Sequence, residues 1–137
     1  MNKSDDERKF WDGHATSDEA AKSAIAADES AWSGEILEKC LAQILPSIVA
    51  SPCRKGEPRR VLDLGCGSGR LAIPVAVHTG VELSGVDISQ GMLDIAQDRL
   101  WKKYAHLVTV RWLLCDGRTL PPELGRIDAA YSMIMMQ

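Results

Sequence analysis

The stretch Arg60-Val61-Leu62-Asp63-Leu64 runs directly into Gly65-Cys66-Gly67-Ser68-Gly69, and no other feature narrows the folds open to this chain so sharply. A short apolar run closed by turn residues reads as a strand. The glycines that follow let the backbone turn tightly and approach a ligand without a Cβ in the way. Leu71 to Val77 then reads as a helix, and the free N–H groups at its start favour a negatively charged group. Pro74 removes a hydrogen bond there, which predicts a kink or a tight first turn. A glycine-rich junction of strand and helix is only moderately specific, so a tight turn without a ligand stays open as an alternative.

The same grammar repeats downstream. Val81 to Val86 reads as a second strand closed by Asp87, and Ser89 is placed to cap a helix with Met92, Ala96 and Leu100 on one face. Leu107 to Leu114 reads as a third strand closed by Asp116, and Ile127 to Met133 as a fourth. Such alternation predicts an α/β fold, with parallel strands joined by right-handed crossovers.

Upstream, residues 1–17 are polar apart from Phe10 and Trp11 and predict irregular chain or a short helix. Residues 18–31 are rich in helix formers. A clearer helix follows, with Ser33 as its cap and Ile36, Leu37, Cys40, Leu41, Ile44 and Leu45 along one stripe. Pro46 should end or kink it, although Ile48 and Val49 continue the stripe. Residues 51–58 read as a loop, so the chain divides into an N-terminal helical cap segment, 1–58, and an α/β domain, 59–137.

Composition excludes several classes. Of 137 residues, 45% are hydrophobic and 26% charged, as in ordinary globular proteins. The net charge is -3 and the basic residues are scattered, which argues against a nucleic-acid partner. No apolar run reaches the ~18 residues of a membrane span, and the acidic start from Met1 to Glu7 is no secretory signal. Cys40, Cys53, Cys66 and Cys115 lack metal-ligand spacing with one another or with His14, His78 and His106, so no metal site is expected. Free thiols point to the cytoplasm.

The glycine spacing is G-x-G-x-G, one residue short of the dinucleotide fingerprint, and Gly69-Arg70-Leu71 is not the end of a P-loop. In an open α/β sheet, ligands bind beyond the carboxyl ends of the strands. Asp87 stands there, where a carboxylate can accept both hydroxyls of a ribose; the alternative is a turn former or helix cap. Asp116 could accept from the exocyclic amine of an adenine, or belong to a plain Asp-Gly turn with Gly117.

These stretches resemble the class I S-adenosylmethionine-dependent methyltransferases. Val61 to Leu71 is similar to the first motif, Gly85-Val86-Asp87-Ile88-Ser89 with Met92-Leu93 to the second, and Leu114-Cys115-Asp116-Gly117 to the third. Ile127 to Met133 is similar to the fourth strand of that fold. The resemblance covers residues 59–137 and implies a Rossmann-like, doubly wound parallel sheet, of which the chain would supply strands 1 to 4 of seven in the order 3-2-1-4. It implies S-adenosylmethionine as cofactor. Gly65, Cys66, Gly67 and Gly69 would pack on its methionine and ribose portions, and Asp63 would orient the loop and reach its amino group. Asp87 would hold the ribose, Ile88 and Met92 would sandwich the adenine, Asp116 with Gly117 would read the adenine amine, and Ser132 would lie beside the sulfonium.

The expected activity is methyl transfer to a small-molecule acceptor, with S-adenosylhomocysteine as product. Gln137, His14 and Tyr131 are weak candidates for a base, and Trp11 and Trp32 for the acceptor site, with packing as the alternative. Two other readings stay open: a non-catalytic S-adenosylmethionine-binding module or fragment acting with a partner chain, and a nicotinamide-dependent dehydrogenase. An apolar fourth strand, Tyr131 to Met136, left at an edge predicts a dimer, a companion chain there, or a longer gene product of which this sequence is a fragment.

Overall fold

The computed structural model describes residues 3–16 and 34–133. Its elements are α1 (Lys3–His14), α2 (Gly34–Ala50), β1 (Arg60–Leu64), α3 (Ala72–Thr79), β2 (Glu82–Asp87), α4 (Gln90–Lys103), β3 (Thr109–Leu114), a 3-10 turn (Pro122–Leu124) and β4 (Ala129–Tyr131). The strands are all parallel, as the alternation predicts, and lie in the order β3-β2-β1-β4 that the resemblance implies. This is the order of the first half of a Rossmann-like sheet.

One face of the sheet carries the main core. Val61 and Leu83 meet Leu41 and Ile48 of α2 and Ala72, Val75 and Ala76 of α3. The other face carries a smaller cluster of Leu62, Val86 and Leu124. Arg111 pins the 3-10 turn to that face, donating to Ser84 Oγ at 2.8 Å and to the carbonyls of Glu123 and Leu124 at 2.8 and 2.7 Å.

The prolines behave according to position. Pro74 is the third residue of α3, where its missing N–H has no intrahelical partner in any case, so the first turn forms around it. The helix ends at Gly80, whose φ of 66° gives a left-handed cap. Pro46 was expected to end or kink α2, yet the helix continues through it to Ala50. The physical reason lies beyond the proline: Ile48 is buried at 3% exposure against the sheet, and that burial offsets the lost hydrogen bond.

Segment 3–16, left open between irregular chain and helix, is helical from Lys3 to His14. β3 begins at Thr109 rather than Leu107, and β4 is shorter than the expected 127–133, spanning three residues, Ala129–Tyr131. The expected helix over 18–31, the cap at Ser33 and the apolar edge beyond Met133 lie outside the described residues. Among the described residues, no helix is long and apolar enough to cross a membrane.

Candidate functional site at the carboxyl ends of the strands

The loop after β1 is folded back on β2. The amides of Gly65 and Cys66 both donate to the carbonyl of Val86, at 2.9 and 3.0 Å, and Gly69 N donates to Cys66 O at 3.0 Å. Gly67 takes a φ of 52°, and a Cβ there would meet nothing within 4 Å, so the backbone presents an open cradle on that side. Gly69 is constrained from below, because its Cβ would stand 2.9 Å from the Trp112 ring.

Asp87 closes the cradle. Its Oδ2 accepts from Gly67 N at 2.8 Å and its Oδ1 from Ser89 N at 3.0 Å. The carboxylate therefore bridges the glycine loop and the start of α4, and each oxygen retains a lone pair for a further donor. Burial raises its pKa, against the hydrogen bonds from Ser89, Gly67 and Ile88, which lower it.

Asp63 is the buried acid, at 3% exposure. Tyr131 Oη donates to its Oδ2 at 3.0 Å. Burial pushes its pKa up to about 7; the Tyr131 bond works in the opposite direction and the charge of Asp87 in the same one. Burial and both carboxylates also raise the Cys66 thiol, so it is not an activated nucleophile. Two desolvated carboxylates facing one glycine loop make a site suited to a cation.

The remaining expected residues fall into three groups. Ser132 reaches the site, donating to Leu64 O at 3.0 Å. Ile88 and Gly117 are neighbours, since a Cβ on Gly117 would lie 3.2 Å from Ile88 Cγ2. Met92 is 1% exposed within α4, and Asp116 is exposed. Asp116 instead folds into its own turn, its Oδ1 accepting from Arg118 N at 2.8 Å and Thr119 N at 2.7 Å, which lowers its pKa.

Three site-shaping residues carried little sequence signal. Asp12 of α1 accepts from Ser89 Oγ at 2.5 Å and from Gly91 N at 3.3 Å, joining residues 77 positions apart or more. Tyr131 came forward as a weak base and is instead the donor to Asp63. Trp112 fills the space over Gly85, and a glycine inside a strand is the one sign of that close approach. His14 Nδ1 pairs with Phe10 O at 2.8 Å, and Trp11 packs edge-on against Phe10. Trp32 and Gln137 lie outside the described residues.

A separate cavity of about 450 Å³ opens between α2, α3 and α4, lined in part by Leu37, Ile73, Pro74, His78 and Tyr104. Gly69 of the glycine loop borders it, but none of Asp63, Asp87, Ile88, Asp116 or Ser132 does, so it is not the space beside the two acids. Among the described residues no cluster of His, Cys, Asp or Glu could hold a metal ion.

A parallel β3-β2-β1-β4 sheet, a glycine loop after β1 and an acid near the end of each of β1 and β2 define a Rossmann-like α/β domain. A family model described as a methyltransferase domain matches residues 61–137. The chain belongs to that family. It is 31% identical over 113 residues to a malonyl-acyl-carrier-protein O-methyltransferase of Geobacter sulfurreducens, covering 82% of this chain and 39% of the relative. It is 38% identical over 71 residues to a 2-phytyl-1,4-naphtoquinone methyltransferase of Nostoc punctiforme, covering 50% of this chain and 30% of the relative. Among solved structures, magnesium protoporphyrin IX methyltransferase from Synechocystis with bound SAH superposes at a TM-score of 0.68 and 20% identity, over 96% of this chain and 58% of that one, a likeness of fold. The chain thus spans well under two thirds of these relatives.

Proposed function

We propose that this chain binds S-adenosylmethionine at the cradle between Asp63 and Asp87 and serves methyl transfer to a small-molecule acceptor. The observation that carries the reading is the convergence of two desolvated carboxylates on an open glycine loop. A ligand with a diol, an ammonium and a sulfonium matches that arrangement. Membership of the methyltransferase-domain family supports the cofactor, and the naphthoquinone methyltransferase among its relatives is named for a small molecule.

The bound cofactor supplies a methyl group on a positively charged sulfur, so it brings the electrophile itself. The chain's own residues bind and orient. Asp87 accepts from the ribose hydroxyls with the lone pairs left by Gly67 and Ser89. Gly65, Cys66, Gly67 and Gly69 let the backbone approach. Asp63 faces the amino-acid portion, Ile88 and Met92 sandwich the adenine, and Asp116 with Gly117 reads the adenine amine. Ser132 stands nearest the transferring group. Alignment of nucleophile, methyl and sulfur, with water kept out, is the main demand.

The same reading takes 1–58 as a helical cap and 59–137 as a partial cofactor domain, in the cytoplasm, with a second chain or further strands against the outer edge of β4. Calorimetric titration with S-adenosylhomocysteine tests the site. Binding is expected for the wild type, and Asp87→Ala should weaken it by at least tenfold, the loss of a charged acceptor being worth about 1.5–3 kcal/mol. Equal affinity in the variant would overturn the reading.

A further inference from the structure

Asp63 sits in a cross-strand row. It pairs in register with Gly85 on one side and Tyr131 on the other, and Gly85 pairs with Trp112. Gly85 has no side chain, and the Trp112 ring occupies the place one would take, with Cys66 Sγ beside it. The carboxylate is therefore enclosed, and Tyr131 grips its Oδ2 at 3.0 Å. A carboxylate in such an enclosure can still rotate about its last bond; a donor on one oxygen stops that rotation and sets where the other oxygen points.

We propose that Tyr131 is a positioning residue of the cofactor site: by holding Oδ2 of Asp63 it fixes the plane of that carboxylate and directs Oδ1 to receive the ammonium group of the cofactor. The inference rests on the cofactor reading above and adds to it a residue outside the glycine motif. Tyr131 is a dependable donor, because burial and the adjacent Asp63 push its own ionisation far above the usual tyrosine range. Its bond lowers the Asp63 pKa against the rise caused by burial, so it also favours the charged form that an ammonium requires. Among the described residues, the titratable groups facing Asp63 are Tyr131 from β4, Asp87 from β2 and Cys66 from the loop. Neutral Trp112 comes from β3, and the α3 side chains buried in the core on that face are apolar.

The experiment measures affinity for S-adenosylhomocysteine between pH 6.0 and 8.5, in the wild type and in Tyr131→Phe, with circular dichroism confirming the fold. Wild-type affinity should rise with pH as Asp63 ionises. Tyr131→Phe should bind about tenfold more weakly near pH 6.5, with the gap narrowing but not vanishing toward pH 8.5, because removing the bond moves the carboxyl midpoint upward and also frees the plane of the ionised carboxylate. 5′-Methylthioadenosine, which lacks the amino-acid portion, should bind both proteins alike. A loss that is equal at every pH, or equal for both ligands, overturns the proposal and leaves Tyr131 a packing residue. Asp63→Asn should bind with no such pH dependence, and a wild-type slope in that variant overturns it too. In ligand-free protein the Asp63 carboxyl carbon resonance should titrate at higher pH in Tyr131→Phe; an unchanged midpoint counts against the proposal even without ligand. Failure of folded wild type to bind either ligand would overturn the cofactor reading itself, a result distinct from these.

Discussion

A Cβ added at Gly85 would stand 2.6 Å from the Trp112 ring and 2.8 Å from Cys66 Sγ, inside the distance at which carbon and sulfur repel. Gly85→Ala should therefore destabilise the protein by about 1–3 kcal/mol in urea unfolding. Trp112→Leu in the same chain should recover much of that loss, and strict additivity of the two substitutions would show that the ring is not the obstacle. Asp63 gives a second prediction at this scale. Its pKa is raised from 3.8 to about 7, so across that window the folded protein holds a proton that the unfolded chain has lost. Stability should be fully present below the lower value and decline as pH rises through the upper one, by at most about 4 kcal/mol at about 1.36 kcal/mol per unit. Asp87 is raised as well and adds in the same direction. Urea midpoints from pH 4 to 8 in the wild type and Asp63→Asn measure this, and an Asp63→Asn profile as steep as the wild type's would refute it. The glycine loop and Asp63 were legible because they lie within a few residues of one another, and Asp87, 20 residues from Gly67, because it closes the next strand. Tyr131 was not, because its partner is 68 residues away and a tyrosine in a strand carries no sign of what it touches.

Among the elements, β1, β2 and α3 stand within two residues of where periodicity set them, and α4 begins directly after its expected cap, Ser89. Ser89 shows why: its hydroxyl accepts from Met92 N at 3.1 Å, a contact encoded three residues apart. α2 shows the limit of local reading. Pro46 denies a hydrogen bond to the carbonyl of Ala42, and propensity alone would end the helix there. The helix continues because Ile48 fits the core and because the end of α2 is tied down: Arg59 donates to the carbonyl of Ser51 at 3.1 and 2.9 Å. Pro46 itself is exposed, so Pro46→Ala should stabilise the chain by about 1–2 kcal/mol, the restored bond outweighing the greater freedom of the unfolded state. Thermal unfolding of the two proteins compares them directly. A lower midpoint for the alanine variant would mean that the proline's ring is itself a packing element.

At the scale of the whole molecule, stability is unevenly distributed. The sheet, α3 and α4 hold most of the buried side chains, whereas α1 buries none. A helix of 12 residues is marginal on its own in water, so α1 depends on its docking. That docking is local and polar: Asp12 receives the Ser89 hydroxyl and the Gly91 amide at the start of α4, and Ala15 lies where a Gly91 side chain would be, 2.7 Å from its Cβ position. Because Ser89 also caps α4 and its amide binds Asp87, α1 is linked to the cradle through Ser89. Asp12→Ala should therefore release α1 without unfolding the rest. Hydrogen exchange read by mass spectrometry should show protection falling roughly tenfold or more over Lys3–His14, with β1 and β2 unchanged. Gly91→Val should do the same by blocking Ala15, through a side chain that leaves Asp12 intact. If protection were lost across the sheet as well, α1 would have to be counted as part of the cooperative core, and its lack of buried side chains would be a poor guide to its contribution.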